Sequence, residues 1–275
     1  MIDLHTHTTA SDGRRTPADL VAYAAAAGVT VLSVTDHDTV AACHPASAAA
    51  AAQGMEFVPG IEITAIRDEV DVHVLGYFID VRAPALSAFL AEQRRRRIER
   101  VRKMIDRLEA FGISLDANAI VAPAMAESGR AVGRPAIAQA LVAAGYAADA
   151  GEAFDRWLQR GRPAFVPRLA ASPDIVIACI HAAGGVASLA HPGLLGRDDW
   201  VQDFAAMGLD AVEAYHTEHD PRETERYLSL ARRLQLAVSG GSDYHGDASH
   251  GAPAPGSTSL PPAAFDALKS RSSTA

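Results

Sequence analysis

The chain has 275 residues, 49% hydrophobic and 21% charged, with a formal net charge of −8. That length suits one large α/β domain, or a large domain carrying a smaller insert. The acidic balance argues against broad adhesion to nucleic acid or an anionic membrane, but not against a small anionic substrate.

Cys43 and Cys179 form no Cys-x-x-Cys pattern, which speaks against a disulfide framework or a thiolate zinc site. No basic stretch followed by an apolar one opens the chain, and no apolar run could span a bilayer, so a cytoplasmic protein is expected.

In chain order, Ile2 and Leu4 lead into His5 and His7. If this is a strand, its period of two puts both imidazoles on one side. Thr16-Pro17 opens a helix that Gly28 closes. Residues 29–35 are a β-branched strand ending on Asp36-His37-Asp38, and the alanine-rich residues 41–52 read as a helix. Residues 56–58 lead through Pro59-Gly60 to residues 61–64, and residues 71–78 form a strand with His73 partway along. From Pro84 to about Phe165 the pattern is helical. A long helix over 86–111 carries Ile98, Val101, Ile105 and Leu108 on one face, and shorter pieces follow near Asp116, Pro135 and Gly151. After Pro167 the alternation resumes. A helix runs from Ser172-Pro173 to Gly184-Gly185, and a strand over 186–190 delivers His191. A strand over 209–215 delivers His216, a helix opens at Asp220-Pro221, and a last strand over 236–239 leads to Asp243 and His245. The tail beyond Ser249, rich in Pro, Ser and Ala, is expected to lie on the surface.

Strands alternating with helices indicate a parallel α/β architecture, and about seven strands suit a (β/α) barrel better than an open sheet. Residues 1–83 and 166–275 would form the barrel, and residues 84–165 a helical insert. His5, His7, Asp12, His37, Glu62, His73, His191, His216, Asp243 and His245 fall on strands or just past their C-terminal ends, which in barrels is the active rim.

A lone histidine is more often structural than a ligand, and His44, His181, His219 and His250 are read that way. The rim group is different, because so many imidazoles and carboxylates would be costly to desolvate without cations. They exceed the three protein ligands of one catalytic zinc, so two or three divalent ions are expected. Asp243-x-His245 repeats the spacing of His5-x-His7. His37 is taken as a ligand, with Asp36 or Asp38 fixing its tautomer. Mixed imidazole and carboxylate donors suit manganese, the first expectation, as well as iron or zinc.

His5-Thr-His7 with Asp12, Thr35-Asp-His-Asp38, Gly60-Ile-Glu-Ile-Thr64, His73, Ala190-His-Pro192 and Gly241-Ser-Asp-Tyr-His245 together resemble the polymerase-and-histidinol-phosphatase (PHP) family. The resemblance implies a distorted seven-stranded barrel with a trinuclear metal centre. One ion would be held by His5, His7, Glu62 and Asp243, a second by Glu62, His73 and His191, and a third by Asp12, His37 and His245. The helical insert and Gly133-Arg-Pro135 resemble the branch of nucleoside 3′,5′-bisphosphate phosphatases, relatives of which trim 5′ ends of short RNA.

The expected reaction is hydrolysis of the 3′-phosphate, for example adenosine 3′,5′-bisphosphate to AMP and phosphate. The expected partner is a small nucleotide, with short RNA ends as the alternative, and neither a membrane nor an obligate protein partner is expected. No serine nucleophile elbow or Cys/His motif suggests a covalent route. His216 is the candidate substrate contact or general acid, and Asp36 is carried with it as a catalytic candidate. Arg94, Arg97, Arg130 and Arg134 are candidates for gripping substrate phosphate, whereas Arg96 and Arg100 are read as a solvated face. Alternatives are a histidinol-phosphate or other small-monoester phosphatase, a 5′-3′ exoribonuclease, and a non-catalytic metal-stabilised binding module.

Overall fold

The computed structural model describes residues 1–126, 132–246 and 254–272. Seven strands lie side by side in sequence order: β1 (Ile2–Asp3), β2 (Val31–Val34), β3 (Glu56–Arg67), β4 (Val70–Tyr77), β5 (Val186–Leu189), β6 (Ala211–His216) and β7 (Ala237–Gly241). The two edges then meet. Leu4 N–H donates to Gly240 O at 3.2 Å, Asp243 N–H to His5 O at 2.8 Å, and His7 N–H to Tyr244 O at 2.9 Å. Thr6 and Tyr244 pair in parallel. The sheet is thereby curled into a nearly closed, distorted (β/α) barrel.

The distortion departs from the expected all-parallel order, because β4 runs antiparallel to both β3 and β5. Asp68 and Glu69, at φ 50° and 62°, turn the chain straight back after β3, and a two-residue hairpin joins only antiparallel strands. Strand β3 runs unbroken through Pro59-Gly60. Gly60 is required there, since a Cβ would sit 2.2 Å from Ser33 Oγ.

Helices α1 (Pro17–Ala26) and α2 (Cys43–Ala52) cover β2 through Leu20, Val21, Ala24, Ala46 and Ala50. The barrel interior is filled by Ile2, Leu4, Val58, Leu75, Tyr77 and Val186. The C-terminal tail corrects the expectation of a surface segment. Leu260, Phe265 and Leu268 are buried in that same cluster, the last two on a helix at Pro262–Lys269, and Leu260 N–H donates to Ile2 O at 2.9 Å. Burying Phe265 alone contributes roughly 1.5–3 kcal/mol.

The chain separates into two compact units, Met1–Phe89 with Ala171–Ala275, and Leu90–Ala170. Most of helix α3 (Pro84–Glu109) belongs to the second unit, with α4 (Ala117–Met125) and α5 (Arg134–Ala143). Val101, Met104, Ile105, Leu108, Ile137 and Leu141 give that unit its own core. Arg100, read as a solvated residue, is half-buried and donates to Val166 O at 2.7 Å, so it fastens a loop instead. No helix among the described residues is long and apolar enough to cross a membrane.

Candidate metal centre

Beyond β1 the chain stays extended, so His5 and His7 point to the same side while the Thr6 hydroxyl donates to Ser33 O on the other. The approach is tight. A Cβ on Gly241 would lie 2.3 Å from His5 N, and one on Gly13 would lie 2.4 Å from His7 O. Asp36, buried at the end of β2, accepts from Thr8 N and Thr8 Oγ1, both at 2.7 Å, and from Ser11 Oγ at 2.6 Å. Those bonds shape the loop that carries Asp12. With its oxygens so engaged, Asp36 reaches the centre through that loop. Asp38 accepts from Thr64 N at 2.9 Å, whereas the His37 ring itself meets Glu62 and Asp12.

Glu62 is fully buried on β3 and lies at the middle of the group. Its Oε2 is 2.9 Å from His37 Nδ1, 3.3 Å from His7 Nε2 and 3.5 Å from His5 Nε2. Its Oε1 is 2.9 Å from His73 Nδ1 and 3.1 Å from His191 Nε2. Because β4 is antiparallel, His73 near its start reaches the same rim as the ends of the parallel strands. Asp243 Oδ1 is 3.2 Å from both His5 Nε2 and His7 Nε2. Asp12 lies 3.4 Å from His245 Nε2 and 3.5 Å from His37 Nε2.

Burial alone would raise the Glu62 carboxyl, but the charges of His37, His73 and His5 hold it well below the usual range. Burial, reinforced by repulsion from His245, pushes His7 down to about 3.

Apart from the His191 Nε2–Glu62 Oε1 hydrogen bond, most of these short distances around Glu62, His5 and His7 are not hydrogen bonds. His5 Nε2, both nitrogens of His7, His73 Nδ1 and Glu62 Oε2 are buried without a hydrogen-bond partner. Each such atom costs about 1–3 kcal/mol unless something else satisfies it. Donor atoms of His7, Asp12, His37 and His245 lie within 4.8 Å of one another, as do those of His5, His7 and Asp243, and those of His37, Glu62 and His73. Convergent lone pairs on imidazole and carboxylate are what a divalent transition metal binds, so the residues fit metal ions.

All nine residues expected as ligands therefore meet at one rim. The grouping differs in two respects: His7 also lies beside Asp12, His37 and His245, and His37 Nδ1 joins Glu62 and His73, with His191 also against Glu62. His216 adjoins the group, its Nδ1 accepting Glu218 N–H at 3.2 Å, which leaves Nε2 to carry the proton 3.5 Å from Asp243 Oδ2. His219 is satisfied at both nitrogens by Ala214 O and Gly193 N–H, each at 3.1 Å.

Two buried carboxylates escaped the sequence reading. Glu213 on β6 bonds His5 Nδ1 at 2.9 Å and accepts His191 N–H at 2.7 Å. Asp3 accepts from Ser242 N, Ser242 Oγ and Gly256 N. The one signal for Glu213 was a carboxylate inside an otherwise apolar strand.

Arg94, Arg97 and Arg134 belong to the second unit, and Arg130 and His250 lie outside the described residues. Arg97 Nη1 lies 3.5 Å from Val132 O and 3.8 Å from where a Cβ on Gly133 would be, beside Arg134. The Arg134 guanidinium stacks 5.8 Å from the Phe154 ring.

A PHP domain model matches residues 3–127. The chain is 37% identical to the 5′-3′ exoribonuclease Rnm of Escherichia coli (strain K12), across 88% of this chain and 84% of that one. It is 34% identical to the 3′,5′-nucleoside bisphosphate phosphatase of Chromobacterium violaceum, across 95% and 93% of the two chains. A solved structure from Bifidobacterium adolescentis, assigned as a metal-dependent phosphoesterase, matches at a TM-score of 0.85 and 33% identity, covering 98% of this chain and 96% of that one. With a rim that fits metal ions and relatives of this extent, the chain belongs to the PHP domain family and is a metal-dependent phosphoesterase.

Proposed function

We propose that this enzyme hydrolyses the 3′-phosphate of nucleoside 3′,5′-bisphosphates, with manganese in a trinuclear centre. The observation that carries the metal part is Glu62, whose two oxygens face five imidazoles. His5, His7 and Asp243 would hold one ion with Glu62. Glu62, His73 and His191 would hold a second, with His37 at its edge. Asp12, His37 and His245 would hold the third. Bound there, divalent ions lower the pKa of a water and neutralise phosphoryl oxygens.

The chain's own groups do the rest. His216 presents a proton on Nε2, suited to the 3′-oxygen as the phosphorus–oxygen bond breaks. Asp36 acts by holding the Asp12 loop. Arg97 and Arg134 flank Gly133 and suit a second phosphate, with Arg94 and Arg130 as further candidates. The 34%-identical bisphosphate phosphatase supports this choice of substrate. Free thiols at Cys43 and Cys179 fit a reducing cytoplasm.

The 37%-identical exoribonuclease favours a second reading, removal of 5′ nucleotides from short RNA. Phosphate release from adenosine 3′,5′-bisphosphate, 3′-AMP and 5′-AMP, run beside nucleotide release from a short 5′-phosphorylated RNA, separates the two. The bisphosphate is expected to be fastest and 5′-AMP a poor substrate, with a chelator abolishing turnover and manganese restoring it. Turnover of the RNA without turnover of the bisphosphate would overturn the first reading in favour of the second.

A further inference from the structure

We infer that Glu213 is a positioning residue that fixes two of the metal-facing histidines at once, setting the ring tautomer of His5 and the backbone of His191. The inference rests on the reading of the rim as a metal centre, but not on any choice of substrate.

Glu213 is fully buried on β6, and its two oxygens do different things. Oε1 lies 2.9 Å from His5 Nδ1. A carboxylate can only accept there, so His5 Nδ1 carries the proton and Nε2 keeps its lone pair. That lone pair is the buried atom facing Asp243 Oδ1 at 3.2 Å and Glu62 Oε2 at 3.5 Å. Oε2 accepts the backbone N–H of His191 at 2.7 Å. His191 sits at φ 27° and ψ 58°, a region that a residue with a side chain rarely occupies. Such a conformation persists only where its surroundings hold it, and this bond is one of the holds.

Two fixed N–H donors thus require two acceptors on one side chain. Carboxylate supplies them and amide does not. In Glu213→Gln the backbone N–H of His191 cannot change its role, so it takes the amide oxygen. The amide NH2 then faces His5 Nδ1, which must become an acceptor. The ring proton moves to Nε2 and blocks the lone pair toward the centre.

The test uses the full-length protein loaded with zinc, which is diamagnetic, with 15N-labelled histidine. Wild type should show the His5 ring proton on Nδ1 in a strongly downfield, carboxylate-bonded resonance, and Glu213→Gln should lose it. His219, whose tautomer is set by Ala214 O and Gly193 N–H, serves as an unchanged internal reference. Competition against a chromophoric chelator should show zinc affinity falling about 10- to 100-fold in Glu213→Gln, the usual loss when a ligand's orienting partner is removed. A wild-type His5 carrying its proton on Nε2 would overturn the inference. So would a folded Glu213→Gln protein that binds zinc as tightly as wild type.

If Glu213→Gln does not fold, Glu213→Asp carries the test, because it keeps both acceptor oxygens. It should retain the His5 resonance and most of the affinity, and loss of both would overturn the inference. Failure to hydrolyse a bisphosphate would refute the proposed substrate while leaving these readouts untouched.

Discussion

Two fully buried carboxylates of the barrel, Asp3 and Glu62, are treated in opposite ways. Asp3 lies just beneath the rim and is saturated by donors from Ser242, Gly256 and the His5 backbone. Glu62, on the rim, faces imidazole nitrogens at distances that complete no such set. Below the rim the protein supplies every partner, and the carboxylate ties β1 to the end of β7. At the rim the partners are withheld, and lone pairs converge on space. Burial of charge by itself therefore does not mark a functional group in this molecule. Unfinished bonding on several donor atoms that converge on one another does.

Changing Glu62 should have the largest effect. Glu62→Gln keeps the shape but removes charge and acceptor capacity, so metal content should fall and turnover should drop by about a thousandfold, ~4 kcal/mol. The far-UV spectrum should stay that of a folded barrel. A variant with full metal content by elemental analysis would show that Glu62 does not bridge. His37→Ala should lower turnover by a smaller factor and leave the melting transition nearly in place, since that ring is partly exposed at the edge of the site. Unfolding like a core deletion would contradict this.

Asp3→Asn sharpens the contrast from below. It leaves buried donors facing an amide NH2, so the urea midpoint should reveal a loss of about 3 kcal/mol, and zinc titration should show affinity declining only as far as stability does. Arg134→Ala should cost about 1.5–3 kcal/mol in kcat/KM with the bisphosphate and almost nothing with 3′-AMP. Equal losses on both would mean that Arg134 does not read the second phosphate.

The mildest test leaves the rim alone. Burial pushes the Cys43 thiol up to about 12 from an ordinary value of 9.0. A raised value means that folding favours the protonated form, so this contribution is intact below pH 9 and is lost as pH rises toward 12. The alkaline decline in the urea midpoint across that window should flatten in Cys43→Ala. An unchanged decline would assign it to other groups.

The rim was legible in the sequence because its residues stand where apolar strands stop, and because His5 and His7 share a face by their spacing of two. Its geometry was less so. The reversal of β4 depends on Asp68 and Glu69 adopting positive φ, and neither carries the Asn-Gly signature of such a hairpin. Glu213 is a single carboxylate between Val212 and Ala214, and only the position of His5 across the barrel gives it meaning. The last helix was hidden by a Pro- and Ser-rich lead-in, although Leu260, Phe265 and Leu268 join the cluster that fills the barrel interior. Arg100 looked solvated because the carbonyl it holds, that of Val166, is distant in sequence.

The seam where the barrel closes also sets when the site can exist. His5 and His7 are joined to Asp243 and Tyr244 by the backbone bonds that close the edge, so groups separated by nearly the whole chain must meet. Contacts of such long sequence separation form late and slowly. On the ribosome, the first ligands to emerge must wait for almost the last, and no intermediate lacking β7 can hold the Asp243 half of the centre. Metal loading should therefore follow barrel closure, and metal would select the closed state rather than nucleate it.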